Sequence, residues 1–156
     1  MKDYRLYILM RTDLPSMGAG RAAAQASHAS NAFWHDWGQR AEAKEWARQT
    51  PQGFGTAIVL GATKEQIDAI FRSKVDDFNR YLMKSWIIDP DYAISIPSES
   101  AQFIDKDKLR RQGGKLEKIS DNPEKWILHR EEKTCAYIFG DRDDLAPILG
   151  SLPLYT

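Results

Sequence analysis

Arg21, Gln25 and His28 recur at i, i+4 and i+7, so on a helix they lie along one stripe. They follow directly on the glycine pair Gly18 and Gly20. A cation, an amide and an imidazole in that arrangement can hold an anion, orient a polar substrate or move a proton. Gly18-Ala19-Gly20-Arg21-Ala22-Ala23 also fits G-x-G-x-x-A. A dinucleotide site of that kind needs its first glycine at a strand end and an acid at the end of the next strand. Here residues 11–17 separate Gly18 from the preceding strand-like run, and the next such run ends in Gly61-Ala62-Thr63 without an acid. A dinucleotide is therefore not expected. Two readings remain. The glycines are a turn into a closely packed helix, or the exposed amides of the helix N-terminus, beside Arg21, receive a phosphate or an oxyanion. Read singly, His28 is a half-buried, hydrogen-bonded histidine and Arg21 a solvated first-turn residue.

Two further features carry chemistry. Asp89 closes the run Trp86-Ile87-Ile88-Asp89, and a carboxylate at a strand end can orient or deprotonate water. Between residues 106 and 118, Lys106, Lys108, Arg110, Arg111, Lys115 and Lys118 stand against only Asp107 and Glu117, a local charge of +4. The whole chain has 22 Lys plus Arg and 22 Asp plus Glu, so the remainder sums to −4. The run is either an ordinary solvated face or a clamp on an RNA backbone, positioning without reading sequence. Trp34, Trp37 and Trp46 are read as core or homodimer-interface residues rather than as a base-stacking platform.

The elements that position these groups follow from periodicity. Residues 4–10 read as a strand rich in aromatic and branched side chains. A helix from about Arg21 has Ala22, Ala26, Ala29, Phe33 and Trp37 on one face. Pro51, Gly53 and Gly55 mark a break, and residues 55–61 read as a buried strand. Thr63, followed three residues later by Gln66, resembles a capping box. The helix it opens carries Ile67, Ile70, Phe71, Val75, Phe78 and Leu82 on one face. A third strand ends at Asp89, and residues 92–97 continue extended to Pro97. Residues 98–133 are polar and weakly periodic, an excursion with short helices near residues 101–112. Residues 134–139 read as a fourth strand, and residues 141–149 as a closing helix stopped by Gly150. The order predicts a three-layer α/β/α sandwich on a four-stranded mixed sheet, one domain with an inserted charged segment at 98–133.

Composition narrows the class. A 42% hydrophobic and 28% charged chain is that of an average globular protein, not a disordered tail, coiled coil or collagen. The longest apolar runs are a few residues, so no membrane span is expected. The opening residues show no signal-peptide pattern, and Cys135 is the only cysteine. No internal disulfide can form, and a cytoplasmic setting is expected. The neutral balance means that any nucleic acid is held by a local patch.

Residues 11–14, Arg-Thr-Asp-Leu, followed by 17–29, Met-Gly-Ala-Gly-Arg-Ala-Ala-Ala-Gln-Ala-Ser-His-Ala, resemble the type 2 peptidyl-tRNA hydrolase family, whose signature reads R-x-D-L-x-M-G-K-G-K-x-A-A-Q-x-x-H-A. Residues 86–97 are similar to that family's L-I-x-D-A-G-R-T-Q-I-x-P segment. Residues 134–140 and the terminal Leu152-Pro153-Leu154-Tyr155 are similar to its closing strand and tail. The resemblance covers about residues 4–97 and 134–155 and leaves 98–133 as extra.

The resemblance implies hydrolysis of the ester joining a peptide to the terminal ribose of tRNA, with tRNA as partner and no metal or cofactor. It implies that Arg21, Gln25, His28, Asp89 and Thr134 share a catalytic site, with Gly18, Gly20 and Ser95 beside it as substrate-binding residues; Arg110 and Arg111, in the segment the resemblance does not reach, are expected to bind substrate on the strength of their charge alone. Asp89 takes the place of the family's Asp, and Thr134 that of its last-strand Thr. The family's second lysine is Arg21 here, its first is Ala19, and the Thr of D-A-G-R-T is Ala93. Its Gly and Arg have become Asp91 and Tyr92. Arginine can stabilise an oxyanion or hold a phosphate but stays protonated, so it cannot relay a proton as lysine can. Loss of the Thr hydroxyl at Ala93 removes a ligand for water, for which Ser95 and Asp91 are the nearby substitutes. The other expectation is a catalytically impaired member acting as a tRNA-binding or protein-interaction module.

Overall fold

A computed structural model describes residues 2–73 and 83–156. Val75, Phe78 and Leu82, expected on the second amphipathic helix, lie outside the described residues. The elements in order are β1 (Tyr4–Arg11), α1 (Ala19–Trp37), α2 (Ala41–Ala47), β2 (Ala57–Ala62), α3 (Lys64–Arg72), β3 (Met83–Pro97), α4 (Ser98–Ala101), α5 (Lys106–Arg111), β4 (Lys115–Lys118), β5 (Lys125–Asp141) and α6 (Arg142–Leu149). The chain divides into two compact units. The first comprises residues 1–13, 18–87 and 134–156, and the second residues 14–17 and 88–133.

In the first unit the strands run in the order β2-β1-β5-β3. β1 pairs parallel with β2, Leu6 opposite Ala57, and antiparallel with β5, Ile8 opposite Tyr137. A parallel neighbour requires a crossover, and α1 with α2 supplies it. β1 is buried on both faces, so its period-two alternation divides two apolar sets. On one face Tyr7 and Leu9 join Leu60, Ala136 and Ile138 beneath Ile67 of α3 and Leu145 and Leu149 of α6. On the other, Phe33 of α1 and Trp46 of α2 meet Tyr137 and Phe139 of β5 through ring contacts of 4.5–6.0 Å. Helices on both faces of a mixed sheet make the expected α/β sandwich.

Several expectations are corrected. The sheet has five strands rather than four. β4 was not expected, and β5 begins at Lys125 rather than at residue 134, because the charged run 129–133 hides its extended pattern. α2 was missed: seven residues are too few for a helical period to emerge. α1 begins at Ala19, and its buried face is Ala22, Gln25, Ala29 and Phe33, with Gln25 in place of Ala26. Trp46 is a core residue, Trp37 is half-buried, and Trp34 remains exposed.

The helix ends are chemically specified. Thr63 and Gln66 form the expected capping box on α3. Gly150 ends α6 in a right-handed conformation. Its glycine is needed because a Cβ there would lie 2.6 Å from the Ala146 carbonyl oxygen. The C-terminal tail lies along β2, with Tyr155 N–H donating to Val59 O at 3.0 Å.

In the second unit β4 pairs antiparallel with β5, Leu116 opposite Leu128. Its core gathers Leu14, Tyr92, Ile94 and Leu128, with Met17, Ile96, Ile104, Leu109 and Leu116 packed against them.

Candidate functional site

The Arg-Thr-Asp-Leu motif has a structural task. Arg11, buried at the end of β1, makes a two-pronged contact with Asp13: Nε to Oδ1 at 3.1 Å and Nη2 to Oδ2 at 2.9 Å. Asp13 Oδ1 also accepts the Lys64 N–H at 3.2 Å, in the first turn of α3. The Arg11 hydrogen bonds hold the Asp13 carboxyl below its usual range, against the opposing pull of burial. The motif therefore ties the end of one strand to the start of a helix. Leu14 enters the core of the second unit.

The loop that leads to α1 is held from the second half of β3. Tyr92, almost wholly buried, donates its hydroxyl to Pro15 O at 3.0 Å. The Ser95 N–H donates to Ser16 Oγ at 3.3 Å. Ser16 has φ +65°, a left-handed conformation uncommon outside glycine, so these contacts hold a strained turn.

Gly18 is the N-cap of α1, in an extended conformation. A Cβ built on Gly18 or Gly20 would meet nothing within 4 Å. The glycines are therefore not packing glycines, and the expectation of a tightly packed helix start holds only from Ala22 onward. Ala19, Gly20 and Arg21 make up the first turn, which contains no acid. The first intrahelical bond of this end runs from Ala22 N–H to Gly18 O at 2.9 Å. Small residues with open space before them leave the backbone accessible, and the helix dipole adds positive potential there.

Arg21 and His28 are exposed, whereas Gln25 is buried. At about 100° per residue Gln25 sits at the rim of the buried face, between Ala22 and Ala29 on one side and the Arg21–His28 line on the other. Thr134, on β5, is fully buried at 0% exposure. Its Oγ1 donates to Gln25 Oε1 at 2.6 Å and lies 3.4 Å from Ile87 O. The hydroxyl has one proton, so the short contact claims it. That leaves the amide nitrogen of Gln25 as the donor end of the pair. Next along β5, the Cys135 thiol lies 3.5 Å from Gln25 O, and burial pushes its pKa up to about 12. Cys135 is therefore an inert packing residue.

Asp89, Asp91 and Ser95 lie in the second unit on β3. Asp89 is half-buried, and its Oδ1 accepts the Asp91 N–H at 3.0 Å, which fixes its side chain against its own turn. Asp91 is not a spare carboxylate: its Oδ1 is 2.9 Å from His129 Nδ1. His129 Nε2 is 3.3 Å from Glu117 Oε2, but too poorly aligned for a hydrogen bond. Glu117 in turn takes the Lys115 ammonium at 2.8 Å. Ser95 is exposed. Arg110 and Arg111 lie on α5 in the same unit, both exposed, with Arg110 3.6 Å from Asp107.

The structure thus brings Gln25 and Thr134 into contact and sets Arg21 and His28 on the exposed side of the same helix. Sequence reasoning missed the contacts of Tyr92 and the Asp91–His129 pair. The signal was present, because these are the positions at which the chain departs from the D-A-G-R-T pattern. Among the described residues, no group of three or more His, Cys, Asp or Glu side chains is placed to hold a metal ion, and no helix is long and apolar enough to cross a membrane.

No curated protein matches the chain. A family model described as peptidyl-tRNA hydrolase PTH2 matches residues 4–72. The match takes in β1, the glycine loop, Arg21, Gln25 and His28, and it ends before Asp89 and Thr134. Over residues 4–72, from β1 to the end of α3, the chain is similar to the type 2 peptidyl-tRNA hydrolase family.

Proposed function

We propose that this protein is a cytoplasmic hydrolase of the ester bond between peptide and tRNA in peptidyl-tRNA, releasing the tRNA for reuse. The observation that carries the reading is the buried 2.6 Å hydrogen bond from Thr134 to Gln25. It joins two residues 109 positions apart, each marked by the same family resemblance. A polar pair sealed in a core costs desolvation and is kept where its geometry matters.

In this reading Asp89 is the general base. Its carboxylate takes a proton from water as the oxygen attacks the ester carbonyl, and it returns that proton to the ribose oxygen as the acyl C–O bond breaks, which frees the peptide acid and the tRNA hydroxyl. The first-turn amides of α1 and the Arg21 guanidinium supply positive potential for the oxyanion or for the terminal phosphate. Arg21 acts as a fixed cation and moves no proton. Thr134 holds Gln25 in one orientation and so fixes the helix whose exposed side carries Arg21 and His28. Gly18 and Gly20 let the RNA backbone come close to the amides.

A binding-only role is the second reading, and one observation favours it. Ala93 lacks a hydroxyl, and Asp91, which could have replaced it, is engaged by His129. Incubation with N-blocked aminoacyl-tRNA separates the two. Release of deacylated tRNA supports the hydrolase, and tight binding with the ester intact supports the module.

A further inference from the structure

The segment 98–118 has an anchored side and an unanchored one. Ala101, Ile104 and Leu109 carry its apolar contacts: Ala101 is buried, and Ile104 and Leu109 pack against the core of the second unit. Leu109 is also seated against Gly114, where a Cβ would lie 2.4 Å from its Cδ1. Phe103 takes no part in this and is 83% exposed, three residues before the first cation of α5.

Most of the cations of α5, which follows Phe103 in the chain, have no acidic partner among the described residues. α5 carries Lys106, Lys108, Arg110 and Arg111 against one acid, Asp107. Asp107 is itself occupied with Arg110 at 3.6 Å. Lys108 and Arg111, at i and i+3, share a helix face and have no acidic partner among the described residues. Lys106 Nζ lies 5.6 Å above the Trp126 ring. Lys118 stands directly opposite Trp126 in the β4–β5 ladder, so it emerges on the same side of that pair.

We infer that this segment is a platform for single-stranded RNA, with Phe103 stacking on a base and the α5 cations holding phosphates. An open aromatic face three residues before a helix with cations that lack acidic partners matches single-stranded nucleic acid, which offers both unstacked bases and a charged backbone. A duplex keeps its bases stacked and would use the cations alone. The inference rests on the proposed function for the identity of the RNA, because the ester of peptidyl-tRNA sits on a single-stranded end. The binding itself can be tested without any ester.

The test is fluorescence anisotropy on the full chain with a short single-stranded RNA ending in CCA and with a duplex RNA of the same length. The single strand binds more tightly than the duplex. Phe103→Ala weakens single-strand binding by about tenfold, the loss of one base stack. Phe103→Trp, which keeps a stacking face, retains it. Lys108→Ser with Arg111→Ser lowers the slope of log affinity against log salt by about 1.4, roughly 0.7 for each lost phosphate contact on a single strand. Thermal midpoints stay unchanged, since all three residues are exposed. Equal affinity for duplex and single strand together with no effect of Phe103→Ala overturns the platform, as does absence of RNA binding, which would leave an acidic protein as the occupant. RNA binding without tRNA release overturns the hydrolase alone, and tRNA release with none of these binding effects overturns the platform alone.

Discussion

Thr134 Oγ1 and Gln25 Oε1 stand 2.6 Å apart in a position closed to solvent, joining β5 to the face of α1 that carries the signature residues. The glutamine is fixed from both ends of its residue: its side-chain oxygen takes the threonine proton, and its backbone carbonyl lies 3.5 Å from the Cys135 thiol. A side chain that would be mobile on a surface is thereby set in one orientation.

Thr134→Val keeps the volume and removes the hydroxyl. The buried Gln25 oxygen then loses its donor, which costs about 1–3 kcal/mol of stability in a urea titration. Gln25→Ala and the double variant complete a cycle, and the two substitutions fall short of additivity by at least 0.5 kcal/mol, roughly the threshold for contacting residues. Strict additivity would mean that the hydrogen bond contributes nothing.

Arg21 separates an electrostatic role from proton transfer. If it is a fixed cation, Arg21→Lys keeps turnover on peptidyl-tRNA within a few-fold, and Arg21→Ala lowers it by about 10²–10³, the scale of one lost oxyanion donor. A gain of a hundredfold or more in Arg21→Lys would show that the step needs a proton relay which arginine withholds.

Much of the first unit is legible in the sequence, because its signals are local. The aromatic and branched side chains of residues 4–10 give β1, the spacing of Ala22, Ala29 and Phe33 gives α1, and Thr63 with Gln66 gives the start of α3. The remainder is non-local or locally masked. Lys125 to Lys133 mixes Trp126, Ile127 and Leu128 with five charged residues and a histidine, and only pairing with β4 makes its first part a strand. The Thr134–Gln25 contact spans 109 residues, so no local pattern could join them. Gln25 looks polar and exposed by type, yet its partner lets it be buried.

Tyr137 provides a pH-dependent check on how α1 is fastened to β5. Its hydroxyl donates to Asp36 Oδ2 at 3.0 Å and accepts from Trp37 Nε1 at 3.0 Å. Burial, with Asp36 nearby, pushes its pKa up to about 12. The folded state thus holds a proton that the unfolded chain releases near the ordinary tyrosine value of about 10. The stability from this shift is complete below that value and is lost as pH rises toward 12, up to about 3 kcal/mol in all. Tyr137→Phe lowers stability at pH 8 by removing both hydrogen bonds, and its alkaline loss between about pH 10 and 12 is shallower. Parallel alkaline limbs for the two proteins would place the titration elsewhere.

The most direct measurement is the rate of tRNA release from peptidyl-tRNA by the wild-type protein and by Asp89→Asn, at matched folding. Asparagine keeps the shape and the acceptor oxygen that meets the Asp91 N–H, but it can neither take a proton nor carry negative charge. The account predicts release by the wild-type protein and a loss of about 10²–10⁴ in Asp89→Asn, the range for a positioned general base. Equal release by both proteins would remove Asp89 from the mechanism, and no release by the wild-type protein would contradict the proposed hydrolysis itself.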